Sequence, residues 1–259
     1  MCNYTQNSDY LPRIRIVQVA DVKYIASCSW GKDSTAMILK LIEENYPLDE
    51  VIFYDTGMEF KAIYNVRDMI LPILNEKNIK YTELKPDNLF LYDMLIRPKT
   101  KRKTKQEAYG DEWCGKCRWQ TFIKQRICNQ YTGTKNIVYV GIASDEAKRL
   151  QKLDFYKRAP LADWKMTEKD CLEYCFSKDI HWYENDVELY SILDRVSCWC
   201  CQNKNLRELR NMYLYLPQYW KMLKGLQSRI DIPMKGEGKS VFQLEERFRR
   251  ENEKKGGEK

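Results

Sequence analysis

The chain has 259 residues, a net charge of +7 and a single histidine. That length suits one main α/β domain with a smaller appendage and a substantial core. The lone imidazole, His181, excludes His-rich zinc hydrolase sites and most Ser-His-Asp arrangements. No apolar run reaches membrane-spanning length, and the first residues show no charged stretch followed by an apolar one. The expectation is a cytoplasmic protein with no membrane partner.

Residues 1–22 read as an N-terminal extension. Lys23 to Cys28 is β-rich, and Thr35 to Asn45 carries Ala36, Met37, Leu39 and Ile42 at helical spacing. Tyr46-Pro47 ends that helix, and Glu50 to Tyr54 is a second strand. Phe60 to Lys77 is helical in pattern, with Pro72 predicting a break or kink. Ile79 to Leu84 is a third strand. Residues 86–112 are polar, basic and irregular, as in a lid or substrate loop. Within them, Arg97 to Lys105 holds six cations and no acid. Such a run is either a solvated loop or a contact for phosphates.

Trp119 to Asn129 reads as a helix and Ile137 to Gly141 as a fourth strand. Thr167-Glu168-Lys169-Asp170 opens a further helix, to Lys178, in the manner of a capping box. From Cys198 onward the chain reads as helical, ending in a frayed tail over Lys254 to Lys259. Strands alternating with helices predict an α/β fold, a parallel twisted sheet with helices on both faces. The expected division is an extension over 1–22, a nucleotide-binding domain with a cysteine-ligated metal region over 23–201, and a helical C-terminal segment over 202–259.

Ile25-Ala26-Ser27-Cys28 leads from the first strand into Ser29-Trp30-Gly31-Lys32-Asp33-Ser34, where a helix begins. A helix N-terminus offers unpaired amides and partial positive charge, which favour phosphate. Gly31 permits close backbone approach, Ser29 and Ser34 supply hydroxyls, and Lys32 supplies a cation. An ordinary capped helix would also use Ser and Asp here.

Cys114-Gly115-Lys116-Cys117 and Cys198-Trp199-Cys200-Cys201 contribute two C-x-x-C pairs. Ten cysteines without a secretion signal argue against a disulfide framework, and two such pairs predict a four-thiolate metal centre at Cys114, Cys117, Cys198 and Cys201. Spacing leaves zinc and a 4Fe–4S cluster both open. Cys200 stands beside the cage as an alternate ligand or reactive thiol. Cys171 and Cys175, at i and i+4, read as packing thiols, as does Cys28. The aromatic run from Met212 to Trp220 reads as helix packing, and His181 as structural.

The phosphate segment resembles the Ser-Gly-Gly-Lys-Asp-Ser loop of the phosphoadenosine phosphosulfate (PAPS) reductase family. That family is a branch of the N-type ATP pyrophosphatases, with the adenine nucleotide alpha hydrolase-like, Rossmann-related fold. Three further stretches match in order. Asp55-Thr56-Gly57 resembles the family's Asp-Thr-Gly segment. Val140 to Arg149 is similar to its Gly-Ile-Arg-x-x-Glu-Ser-x-x-Arg, and Ala159 to Trp164 with Asp170 and Tyr174 to its Pro-Leu-x-x-Trp and following helix. The resemblance implies nucleotide contacts at Ser27, Ser29, Gly31, Lys32, Asp33, Ser34, Asp55, Thr56, Gly57, Gly141, Ile142, Glu146 and Arg149. Lys32, Asp33 and Ser34 are the residues expected to act on the phosphates.

The implied cofactors are ATP, or PAPS, with Mg2+. Arg195-Val196-Ser197-Cys198 through Cys201 is similar to the segment holding two cluster cysteines in cluster-bearing relatives, which favours 4Fe–4S over structural zinc. The sequence departs from the family at Trp30, where a glycine is usual, and at Ala143, where an arginine is usual. The family's reductases carry a reactive cysteine in a late Cys-Gly-Leu-His segment, and no cysteine follows Cys201 here. The leading expectation is therefore ATP-dependent adenylation of an acceptor coupled to sulfur transfer. Nucleic acid would be held by residues 97–105, and a donor protein would supply sulfur. Two alternatives stand beside it: reduction of adenylyl sulfate or PAPS with an external thiol, and a non-catalytic nucleotide-sensing subunit.

Overall fold

The computed structural model describes residues 22–100, 104–110, 113, 117 and 123–256. β1 (Tyr24–Cys28), α1 (Lys32–Glu43), β2 (Glu50–Tyr54), α2 (Lys61–Glu76) and β3 (Lys80–Leu84) form two successive strand–helix–strand units. There follow α3 (Phe90–Leu95), an antiparallel hairpin of β4 (Pro98–Thr100) and β5 (Glu107–Tyr109), and α4 (Lys124–Thr132). Next come β6 (Ile137–Val140), α5 (Ala147–Leu150), β7 (Lys157–Arg158), α6 (Pro160–Asp163) and α7 (Glu168–Ser177). A small hairpin of β8 (Tyr183–Glu184) and β9 (Val187–Glu188) leads to α8 (Leu189–Ile192), α9 (Leu206–Tyr215), α10 (Pro217–Gln227) and α11 (Val241–Gly256).

The main sheet runs β3-β2-β1-β6-β7, and every neighbouring pair is parallel. Strands covered on both faces need apolar residues throughout rather than an alternation, and all five residues of β2 are buried. The register puts Ile25, Ser27, Glu50, Ile52, Thr82 and Val138 on one face, and Ala26, Val51, Phe53, Tyr81 and Tyr139 on the other. Tyr64 of α2 packs edge-on against Phe53, with ring centroids 6.4 Å apart. On the opposite face, Tyr131 of α4 donates to Glu50 at 2.6 Å. Helices therefore cover both faces, as the sequence predicts.

Glu50 is buried and also accepts from Thr82 at 2.5 Å and Lys80 at 2.9 Å. Burial pushes its carboxyl up, but these donors together outweigh it and hold the group below the ordinary value. On the other side of the sheet, Cys171 and Cys175 are fully buried, and Cys175 Sγ lies 3.5 Å from the Lys32 carbonyl where α7 meets α1. His181 is stacked between Phe176 and Tyr183, a packing role. Residues of α9, α10 and α11 share one core with the sheet, through Leu209, Trp220, Leu223 and Phe248. Tyr219 accepts from the Lys61 amide at 3.0 Å and donates to Glu184 at 2.9 Å, stitching α10 to the start of α2.

Three local expectations are revised. α2 runs unbroken through Pro72. Pro72 and Asp68, whose carbonyl loses its helical donor, both lie on the exposed side, where water can satisfy that carbonyl. Residues 86–112 are not irregular throughout. Phe90 and Met94 bury one side of α3, and the Gly110 amide closes the hairpin base onto the Arg97 carbonyl at 2.8 Å. At the C-terminus α11 continues to Gly256, with Val241, Leu244 and Phe248 buried and an Arg247–Glu251 pair at 2.7 Å on its outer side. No helix among the described residues is long and apolar enough to cross a membrane.

Candidate active site

Ser29 to Ser34 joins the carboxyl end of β1 to the first turn of α1, with Gly31 at the N-cap. The loop is held closed from within. Ser34 Oγ accepts from the Ser29 amide at 3.1 Å, lies 3.1 Å from Ser29 Oγ and donates to the Gly31 carbonyl at 3.2 Å. Trp30 adopts φ +56°, a left-handed conformation that is unusual for a bulky residue. Its indole is fully buried against Phe53 and Tyr81, and its carbonyl accepts from Trp182 Nε1 at 2.7 Å. The side chain is thus turned into the core behind the loop, which is how the departure from glycine is accommodated.

Lys32 Nζ is paired with Asp33 at 2.9 Å and with Glu168 at 2.6 Å. Burial works against the Lys32 ammonium, but the Asp33 charge and the Glu168 hydrogen bond outweigh it and raise its pKa. Burial likewise raises Asp33, against the pull of Lys32. Glu168 is the first residue of α7, fixed by the Thr167–Asp170 capping box expected from the sequence. The Tyr190 hydroxyl accepts from the Lys32 amide at 2.8 Å, so α8 supplies part of this turn.

The sheet order reverses between β1 and β6, the place where a parallel α/β sheet opens a crevice at its carboxyl edge. A cleft of about 800 Å³ lies there. Of the residues singled out in the sequence, Ser27, Ser29, Gly31, Lys32, Asp33, Ser34, Gly141, Ile142, Glu146, Arg149, Cys117 and Cys201 line it. Gly141 closes in on the phosphate loop so tightly that a Cβ there would stand 2.9 Å from the backbone nitrogen of Ser34. Glu146 accepts from Arg149 at 2.5 Å and from the Ala143 amide at 3.3 Å.

Asp55, Thr56 and Gly57 do not line the cleft; Glu59, two residues on, does. The Asp55 carboxylate is occupied locally, accepting from the Gly57 amide at 2.8 Å and Tyr64 at 2.6 Å. The turn instead abuts the cysteine segment, since the Met58 carbonyl accepts from the Trp199 amide at 3.0 Å.

Cys198 and Cys200 are buried, whereas Cys201 is half-buried and faces the cleft. The Cys201 amide donates to the Cys198 carbonyl at 3.1 Å, the tight turn expected of such a pair. The Cys198 thiol is hydrogen-bonded to Cys200 and Cys201; the Cys200 contact and burial push Cys198 up against the pull of Cys201, and the Cys198 contact and burial push Cys201 up. Trp113 donates through Nε1 to the Cys200 carbonyl at 3.2 Å, tying the chain just before the first cysteine pair to the second pair. Cys114 lies outside the described residues. Among the described residues no group of three or more Cys, His, Asp or Glu side chains is gathered closely enough to hold a metal ion.

The profile of the phosphoadenosine phosphosulfate reductase domain matches residues 23–202. The chain belongs to this family. None of the curated proteins matches it. Among solved structures, it is similar to the U34-tRNA thiolase NcsA from Methanococcus maripaludis with its 4Fe–4S cluster. The two are 15% identical, with 91% of this chain and 74% of that one covered and a TM-score of 0.45.

Several lining residues of this PAPS reductase-family chain carried no signal in the sequence. Lys124 and Asn129 come from α4, Lys152 and Lys157 from the edge near β7, and Tyr190, Lys204 and Glu208 from the later helices and turns. Isolated lysines on amphipathic helices read as solvated faces. The one available hint was Arg195, five residues before Cys200, inside the segment that resembles the family's cysteine motif.

Proposed function

We propose that the chain binds ATP with its phosphates at the N-terminus of α1 and transfers adenylate to an oxygen of an acceptor, which a sulfur nucleophile then displaces. The observation carrying this reading is that one cleft holds both the phosphate loop and Cys117 and Cys201. In the first step the acceptor oxygen attacks the α-phosphorus, the bond to the bridging oxygen breaks, and pyrophosphate leaves. In the second, a sulfide-level sulfur attacks the adenylated carbon, a C–S bond forms as the C–O bond breaks, and AMP leaves with the oxygen.

The residues have separable tasks. Lys32, with the first-turn amides of α1 other than its own, would meet the transferring phosphates, and Ser34 keeps the loop in shape. Asp33 and Glu168 restrain Lys32, and in this reading Asp33 would share a Mg2+ with the phosphates. Lys124 and Lys152 bring cations to the cleft in place of the arginine missing at Ala143, while Arg149 and Lys157 are paired with Glu146 and Asp154. Cys114, Cys117, Cys198 and Cys201 would hold the metal centre, a 4Fe–4S cluster in preference to zinc. When bound, such a centre supplies a place for sulfur to be held close to the acceptor. A nucleic-acid acceptor, with cations 97–105 as its contact, and a sulfur-donor protein complete the proposal.

Pyrophosphate release and ATP binding by calorimetry test it. Lys32→Met should weaken ATP binding by roughly tenfold to a hundredfold, the weight of a charge-assisted contact, and Ser34→Ala should weaken it by loosening the loop that Ser34 holds closed. ATP affinity unchanged in both variants would remove this site from consideration. Release of sulfite and an adenosine phosphate from adenylyl sulfate or PAPS, with added thiol and no pyrophosphate from ATP, would favour the reductase alternative.

A further inference from the structure

α1 has no side-chain cap of its own, because Gly31 stands at its N-cap. The first amide of the helix, that of Lys32, has no intrahelical acceptor. It donates instead to the Tyr190 hydroxyl at 2.8 Å, 158 residues further along the chain in α8. A phenol oxygen accepts through its lone pairs and donates through its one proton. Only the accepting half is used here. Among the described residues nothing takes the Tyr190 proton, although Tyr190 lines the cleft.

The hydroxyl is fixed in place. Trp182 packs edge-on against the Tyr190 ring, with centroids 4.9 Å apart, and donates through Nε1 to the Trp30 carbonyl at 2.7 Å. The ring is thereby tied to the backbone of the phosphate loop itself. A Cβ on Gly31 would stand 3.2 Å from the hydroxyl oxygen and 3.8 Å from the Val196 carbonyl, so glycine leaves the phenol its room. Burial raises the Tyr190 pKa well above its ordinary value, against the pull of the Lys32 amide. The group is therefore a neutral donor at physiological pH.

A proton held at this helix end faces the anion that the first turn would bind. The Asp33 and Ser34 amides follow Lys32 in that turn, where no intrahelical acceptor reaches them, and the Lys32 ammonium lies 5.9 Å from the centroid of the Tyr190 ring. Accepting from the Lys32 amide also polarises the hydroxyl and strengthens it as a donor. We propose that Tyr190 is a phosphate-binding residue of the cleft, its hydroxyl accepting from the Lys32 amide and donating to a non-bridging phosphate oxygen of the nucleotide. The proposal rests on the reading of the α1 N-terminus as the phosphate site.

Tyr190→Phe keeps the ring against Trp182 and removes only the hydroxyl. 3-Fluorotyrosine introduced at position 190 keeps the hydroxyl but makes it a stronger donor and a weaker acceptor. Calorimetry on the full-length proteins would use ATP with Mg2+, and tripolyphosphate, which carries phosphates without a nucleoside. Tyr190→Phe should weaken both ligands about tenfold, the loss of a hydrogen bond to a charged group. The fluorotyrosine protein should bind both at least as tightly as wild type. A tyrosine that only capped the Lys32 amide would give the opposite sign, because fluorination weakens the cap. A loss of less than threefold in Tyr190→Phe, or weaker binding by the fluorotyrosine protein, would overturn the proposal. Should Tyr190→Phe fail to fold, the direction of change in the fluorotyrosine protein still decides. Full ATP affinity in Lys32→Met, or wild type that binds neither ligand, would instead defeat the phosphate-loop reading, and this proposal with it.

Discussion

Gly141 and Trp30 show how much of the phosphate loop is set by its neighbours. Gly141 directly follows β6, and nothing about its own backbone demands glycine; the demand comes from α1, whose Ser34 Cα and nitrogen stand 2.9 Å from where a Cβ would be. Both contacts are backbone, so no side chain can swing aside. Gly141→Ala should cost about 1–3 kcal/mol in urea unfolding and should weaken ATP binding by displacing the loop. Wild-type affinity with wild-type stability would show that β6 and α1 do not need this closeness. The glycine was legible as part of a motif, but its reason, a strand end pressed onto a helix start more than a hundred residues away, was not. Trp30 was legible only as a departure. That its indole would fill the space behind the loop follows from Phe53 and Tyr81 lying on that face of the sheet, which depends on strand order.

At the scale of elements, the strands were legible because buried parallel strands read as short apolar runs, and β2 was placed at its observed ends, Glu50–Tyr54. α7 was legible from its capping box. What local pattern could not give was the hairpin of β4 and β5, since three-residue strands, Pro-Lys-Thr and Glu-Ala-Tyr, are too short to show an alternation. Nor could it show that Glu50, at the start of a buried strand, would gather donors from β3 and α4. Its folded pKa lies below the ordinary glutamate value, so its stabilisation is present above that value and fades as pH falls through the folded one. Glu50→Gln should therefore lower Tm at neutral pH yet lose less Tm than wild type between about pH 5 and pH 3. Parallel Tm profiles for the two proteins would mean that Glu50 does not titrate with folding.

On the scale of the whole molecule, the sheet order β3-β2-β1-β6-β7 decides what meets at the cleft. β1 and β6 deliver the phosphate loop and the Gly141 turn to the same edge, and the chain beyond β3 carries the hairpin out and returns through Trp113 to the cysteine turn. The hairpin strand that carries Lys99 is thereby part of a segment that returns to the cysteine end of the cleft. Tyr109 at the base of the same hairpin is 60% exposed, an aromatic face. A polyanion bound there would release counterions, so its affinity should fall steeply with salt. Replacing Lys101, Arg102 and Lys103 by glutamine should flatten the salt slope by about 2–3 units while leaving ATP binding at the wild-type level, because the phosphate loop is a separate contact. Fluorescence anisotropy with tRNA and with duplex DNA, each titrated at several salt concentrations, measures the slope. An unchanged slope in the triple variant, or micromolar binding that it matches, would leave these charges as a solvated surface and move the search for the acceptor's contact to Lys124, Lys152 and Lys157 inside the cleft.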